Sequence, residues 1–179
     1  MKKLTGKDVA LSGISAALAI VFVIGAIYIS FATLPCYILG ALAISLPLIK
    51  RNIISSLLSY IVASLVAFFV GNIRMLPFIM FYGLYAILQW VLDFYLYEKM
   101  DINKWIKIAL DIVIKIGYFA LVFWGLYALM NLTLADFSVL NIEWTMPLLI
   151  LASFIAFVLY DLLYREVFKL IKRLLEKRV

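Results

Sequence analysis

The stretch VALSGISAALAIVFVIGAIYISF, Val9–Phe31, decides the class of this protein. It carries no charged side chain, and it is longer than the about 20 apolar residues that a helix needs to cross a hydrocarbon core. The lead Met1-Lys2-Lys3 also suits a secretory signal, but a signal's apolar region runs only about 7–15 residues and no further spans need follow it. Here further apolar runs follow at Leu34–Ile49, Ile53–Gly71, Met75–Tyr97, Trp105–Met130 and Thr145–Tyr164. The second is short and lies between Pro35 and Pro47, which favours a kinked, tilted or partly re-entrant passage. The reading is an all-α membrane protein: a six-transmembrane-helix bundle forming a single transmembrane domain over residues 1–179.

Composition agrees. Of 179 residues, 68% are hydrophobic and 15% charged, and the mean hydropathy is +1.15. A soluble chain is about half apolar. The net charge of +6 would suit nucleic acid or a membrane surface, and its distribution decides for the membrane. With the N-terminus inside, Lys2, Lys3, Lys7, Lys50, Arg51, Lys99, Lys104, Lys107, Arg165, Lys169, Lys172, Arg173, Lys177 and Arg178 are all cytoplasmic. Arg74 alone falls outside, and Lys115 lies within the fifth span. By the positive-inside rule both termini are cytoplasmic, in a multi-pass protein of the bacterial inner membrane. Residues 165–179 extend the last span as a basic amphipathic helix suited to anionic lipid.

Histidine is absent and Cys36 is the single cysteine, so the commonest general base and transition-metal ligand are missing and no disulfide forms within the chain. No metal or cofactor is expected. Gly71, Gly83, Gly117 and Gly125 are isolated and build no phosphate-cradling loop. There is no G-x-S-x-G elbow and no carboxylate cluster on the outer side, so an enzyme is not expected.

Polar groups within spans are costly and therefore informative. Gln89 and Asp93 stand one turn apart. Lys107, Asp111 and Lys115 share a face of the fifth span, as Asp161 and Arg165 share one of the sixth. Lys115, about 12 Å along the helix from Lys107, needs a buried carboxylate partner, Asp111 or Asp93. Asp93, Asp111, Lys115 and Asp161 read as an ion-pair cluster that fixes packing, with a proton relay as the alternative. On the outer side stand Tyr37, Asn72, Arg74, Tyr82, Trp124, Tyr127, Asn131, Asp136, Asn141, Glu143 and Trp144. These form either an interfacial aromatic belt or a ligand pocket, with rings to stack on a flat solute and amides and a charge to orient it. The loop Asn131–Trp144 could lie over it as a lid. In the first span, Ala10, Gly13 and Ala17 make one stripe of small residues, with Ser12 and Ala16 beside it. Such a stripe serves internal packing or the docking of another subunit.

The basic lead Met-Lys-Lys-Leu-Thr-Gly-Lys-Asp-Val-Ala, the first span Ala-Leu-Ser-Gly-Ile-Ser-Ala-Ala-Leu-Ala-Ile and the six-span layout together resemble a substrate-binding S component of an energy-coupling factor (ECF) transporter. The stretch Leu76–Gln89 and the pair Tyr160-Asp161 are also similar to small membrane proteins of Firmicutes with this layout. The resemblance implies an outward-opening pocket near Arg74, the Asn131–Trp144 loop and the outer parts of the fourth to sixth spans. It also implies an Ala-xxx-Ala motif, here Gly13 and Ala17, that packs on a transmembrane T subunit driven by two ATPase subunits. The implied substrate is a small organic solute such as a vitamin or precursor; no nucleic-acid partner is implied. The alternative is a non-transporting membrane assembly or scaffold subunit.

Overall fold

The computed structural model describes residues 5–133 and 145–176. Among these there is no strand. Six helices follow one another: α1 Gly6–Tyr28, α2 Thr33–Ile49, α3 Ile53–Gly71, α4 Pro77–Lys99, α5 Lys104–Thr133 and α6 Thr145–Glu176. Short 3₁₀ turns at Ser30–Ala32 and Asn72–Met75 join α1 to α2 and α3 to α4. Among the described residues α1, α3 and α4 are long and apolar enough to cross a membrane. α2 has 17 residues; Pro35 sits in its first turn, where a missing N–H costs nothing, and Pro47 near its end. The chain divides into two compact units, one up to Asp111 and one from Ile112.

Helix boundaries follow local chemistry. The Thr5 N–H donates to the Asp8 carboxylate at 3.0 Å, which caps α1. Asn52 Oδ1 accepts from the Ser55 N–H at 3.2 Å at the start of α3. Arg51 and Asn72, with φ of 57° and 51°, turn the chain at the tight connections on either side of α3. α4 begins and ends in π-helical turns, Pro77–Gly83 and Asp93–Lys99, with regular α-helix at Leu84–Leu92 between them. In the first of these, the Tyr60 hydroxyl donates to the Ile79 carbonyl at 2.9 Å, which satisfies one acceptor of the widened winding.

In the first unit α1 packs on α2 and α3, and α2 in turn packs on α4. Ser55 Oγ donates to the Asp8 carbonyl (3.2 Å) and Ser59 Oγ to the Ser12 carbonyl (2.9 Å). Both pairs have the same sequence offset, so α1 and α3 run parallel in fixed register. Ser55, Ser59, Ala63 and Ala67 recur every fourth residue along the buried side of α3, facing Ser12, Ala16 and Ala19 of α1. Small side chains let the two backbones approach closely enough for hydroxyl-to-carbonyl bonds between helices. Ser56 Oγ ties α3 to the Ile44 carbonyl of α2 at 2.7 Å.

Buried serines join a core that also holds Phe78, Tyr85, Ile44 and Leu48, and many large apolar side chains face outward. Serines 12, 15, 45, 55, 56 and 59 are buried, while Ile14, Val21, Ile61, Leu65 and Phe69 face outward, Phe69 being 78% exposed. Large aliphatic and aromatic side chains are the most often buried in water-soluble folds. Their outward placement on helices long and apolar enough to cross a bilayer is consistent with a membrane protein.

Candidate functional site

Of the residues expected at the outer side, the first unit holds Tyr37, Asn72, Arg74 and Tyr82. Asn72 and Arg74 are exposed. Beneath them lies an aromatic floor. The Tyr37 ring is 5.4 Å from Tyr82 and 5.8 Å from Phe78, and Phe81 meets Tyr82 edge-on at 5.2 Å. The Tyr37 hydroxyl donates to the Arg74 carbonyl at 3.1 Å and lies 3.7 Å from the Met75 sulfur. Tyr37 therefore pins the backbone of the Asn72–Met75 turn and leaves the Arg74 guanidinium to the surface. A tyrosine that reads in sequence as one aromatic of a belt is the strut of this end of the unit. The signal lay in its burial, which the sequence pattern of a largely apolar α2 does not reveal.

In the second unit Trp124 and Tyr127 are ring neighbours at 5.9 Å, and Trp124 is exposed. Asn131 stands in the last turns of α5. Asp136, Asn141, Glu143 and Trp144, with the rest of the expected lid up to Trp144, lie outside the described residues.

The polar groups within the apolar runs sort into two arrangements. On α4, the Tyr85 hydroxyl donates to Gln89 Oε1 at 3.2 Å, and Gln89 Nε2 donates to Asp93 Oδ1 at 3.1 Å. Tyr85 and Gln89 are buried, so a hydrogen-bonded chain runs along one helix face and ends on the carboxylate. Spacing identified Gln89 and Asp93, and Tyr85 extends the row by one more turn. In the second unit, Lys115 Nζ sits 2.9 and 3.0 Å from the two oxygens of Asp161, and Arg165 Nε binds Asp161 Oδ1 at 3.1 Å. The sequence reading places Lys115 in one ion-pair cluster with Asp93, Asp111 and Asp161 and looks to Asp111 or Asp93 as its partner; in the structure its ammonium contacts Asp161 of α6, which also holds Arg165. Antiparallel packing of α5 on α6 brings these distant residues to one level. Lys115 is only 6% exposed, and Asp111 is buried one turn before it on α5.

The two small-residue stripes of α1 also part. Ser12 and Ala16 are buried, with Ser15 and Ala19, in the α1–α3 seam. Ala10, Gly13 and Ala17 are exposed, and a Cβ added at Gly13 meets nothing within 4 Å. Internal packing is thus met by the second stripe, and the first faces away from the α1–α3 seam of its own unit. Among the described residues no three His, Cys, Asp or Glu side chains come together as a metal site. Comparison with family models, with curated proteins and with solved structures finds no match.

Proposed function

We propose that this chain is the substrate-binding S component of an ECF-type importer, spanning a bacterial inner membrane six times with both termini in the cytoplasm. In this reading it captures a small, flat or amphipathic organic solute at the outer end and hands it over through a T subunit coupled to two ATPases. The carrying observation is the outward small-residue face of α1. Gly13 and Ala17 present an open groove that a second helix backbone can approach closely. The aromatic floor of Tyr37, Phe78 and Tyr82 below the exposed Arg74 supports a solute site at the outer end, with rings to stack on and a cation to orient an anionic group. The Lys115–Asp161–Arg165 group serves as structural fixation of α5 on α6, and the protein binds rather than catalyses.

The test is co-expression with ECF T and ATPase subunits, followed by purification and mass spectrometry of co-eluting small molecules. A stable complex with a retained solute is expected. Gly13→Leu and Ala17→Leu should abolish the complex while leaving solute retention and thermal stability unchanged, because neither side chain is in the internal seam. Absence of both complex and solute with several T subunits removes the transporter reading in favour of an assembly subunit.

A further inference from the structure

α6 is one unbroken helix of 32 residues, about 48 Å long against a hydrocarbon core of about 30 Å. Its apolar part ends at Tyr164. From there onward the inward side is set by Tyr164 and Phe168, whose rings stack at 5.9 Å, while the outward side of the span carries Ile155, Leu159 and Leu163. At helical spacing that outward side continues without rotation into Leu170 and Leu174, which are 59% and 57% exposed. Lys169 and Arg173 flank these leucines and are also exposed, and Lys172 borders the same stretch.

Side chains on a helix lean toward its N-terminus. The N-terminal part of α6 is the span itself, so these cations and leucines lean back toward the lipid rather than away from it. Long basic side chains reach several ångströms further along their stems. A stripe that is lipid-facing in the span therefore stays lipid-facing at headgroup level, where it becomes basic with apolar residues between the charges.

We propose that Lys169, Leu170, Lys172, Arg173 and Leu174 form a docking surface for anionic phospholipid headgroups in the leaflet at the C-terminal end of α6. Charge complementarity chooses this occupant. A second copy would set like charges against one another, with Glu166, already 3.1 Å from Lys169, as the near counter-charge. The inference rests on α6 crossing the membrane and is independent of what the protein transports.

The experiment uses the full chain with Cys36→Ala and a single spin label at Ile155→Cys or Leu174→Cys. The protein is reconstituted in phosphatidylcholine vesicles with or without phosphatidylglycerol. Collision rates with oxygen and with a nickel chelate report depth. The Ile155 label should read hydrocarbon depth in both lipids. The Leu174 label should move from water to headgroup depth when phosphatidylglycerol is present. Lys169→Gln, Lys172→Gln and Arg173→Gln together should abolish that shift, each removed cation weakening anionic-lipid binding by about five-fold. A Leu174 label that is equally wet in both lipids, or equally shielded in both, overturns the proposal. So does a shift that survives the triple substitution, and shielding that scales with protein density identifies a second copy instead. An Ile155 label found in water refutes the span, and the docking surface falls with it for a different and recognisable reason.

Discussion

Asp161 carries one negative charge and holds two cations, so the three members of its group are not equivalent. Replacing Lys115 by Met leaves Asp161 still compensated by Arg165. Asp161→Asn removes the carboxylate that both cations contact, and loss of one partner from a buried pair costs about 3–5 kcal/mol. Asp161→Asn should therefore lower the thermal stability of the detergent-solubilised protein well beyond Lys115→Met, and the double variant should recover part of the loss. Equal effects of the two single substitutions would mean that the charges are solvated. That Lys115 is buried was legible in the sequence, because a lysine flanked by long apolar runs has nowhere else to go. Which member of the expected cluster its ammonium meets was not, because sequence spacing reports neighbours on one helix while Asp161 stands on another. Tyr37 shows the same limit, since its bond to the Arg74 carbonyl joins α2 to the turn that follows α3.

Among the helices, α1 is the most informative, for it carries small residues on two sides with different uses. A glycine inside a helix is worse than alanine by about 1 kcal/mol, and the space beside Gly13 is open. Gly13→Ala should raise thermal stability, whereas Ala16→Leu should lower it by about 1–3 kcal/mol through overpacking of the α1–α3 seam. If both were neutral, the register set by Ser55 and Ser59 would be wrong. Gly83 in α4 is a different case. A Cβ there would stand 2.9 Å from the Tyr60 ring and 3.3 Å from the Phe78 carbonyl, so the π-helical turn has no room for one. Both stripes of α1 are legible from spacing alone. Which of them turns inward depends on α3, whose Ser55 and Ser59 hydroxyls bond the Asp8 and Ser12 carbonyls and whose small Ala63 and Ala67 continue the same buried row.

At the scale of the whole molecule the topology is open to a direct test. In a Cys36→Ala background, Asn72→Cys should react with a membrane-impermeant maleimide on intact cells, and Lys7→Cys should react only after lysis. Labelling of both on intact cells would overturn the positive-inside assignment. The sequence by itself determined the membrane class, the helical runs and the charge asymmetry, because each follows from the local cost of placing a residue type in lipid or water. The helix ends moved by a few residues, and α6 absorbed the basic extension because nothing at Arg165 breaks a helix. Only the tertiary structure decided which small-residue stripe of α1 is exposed, which carboxylate Lys115 finds and which tyrosine supports the Arg74 turn. Those outcomes depend on contacts between helices far apart in the chain, and helices that are apolar on every side carry no mark of which side will meet a neighbour.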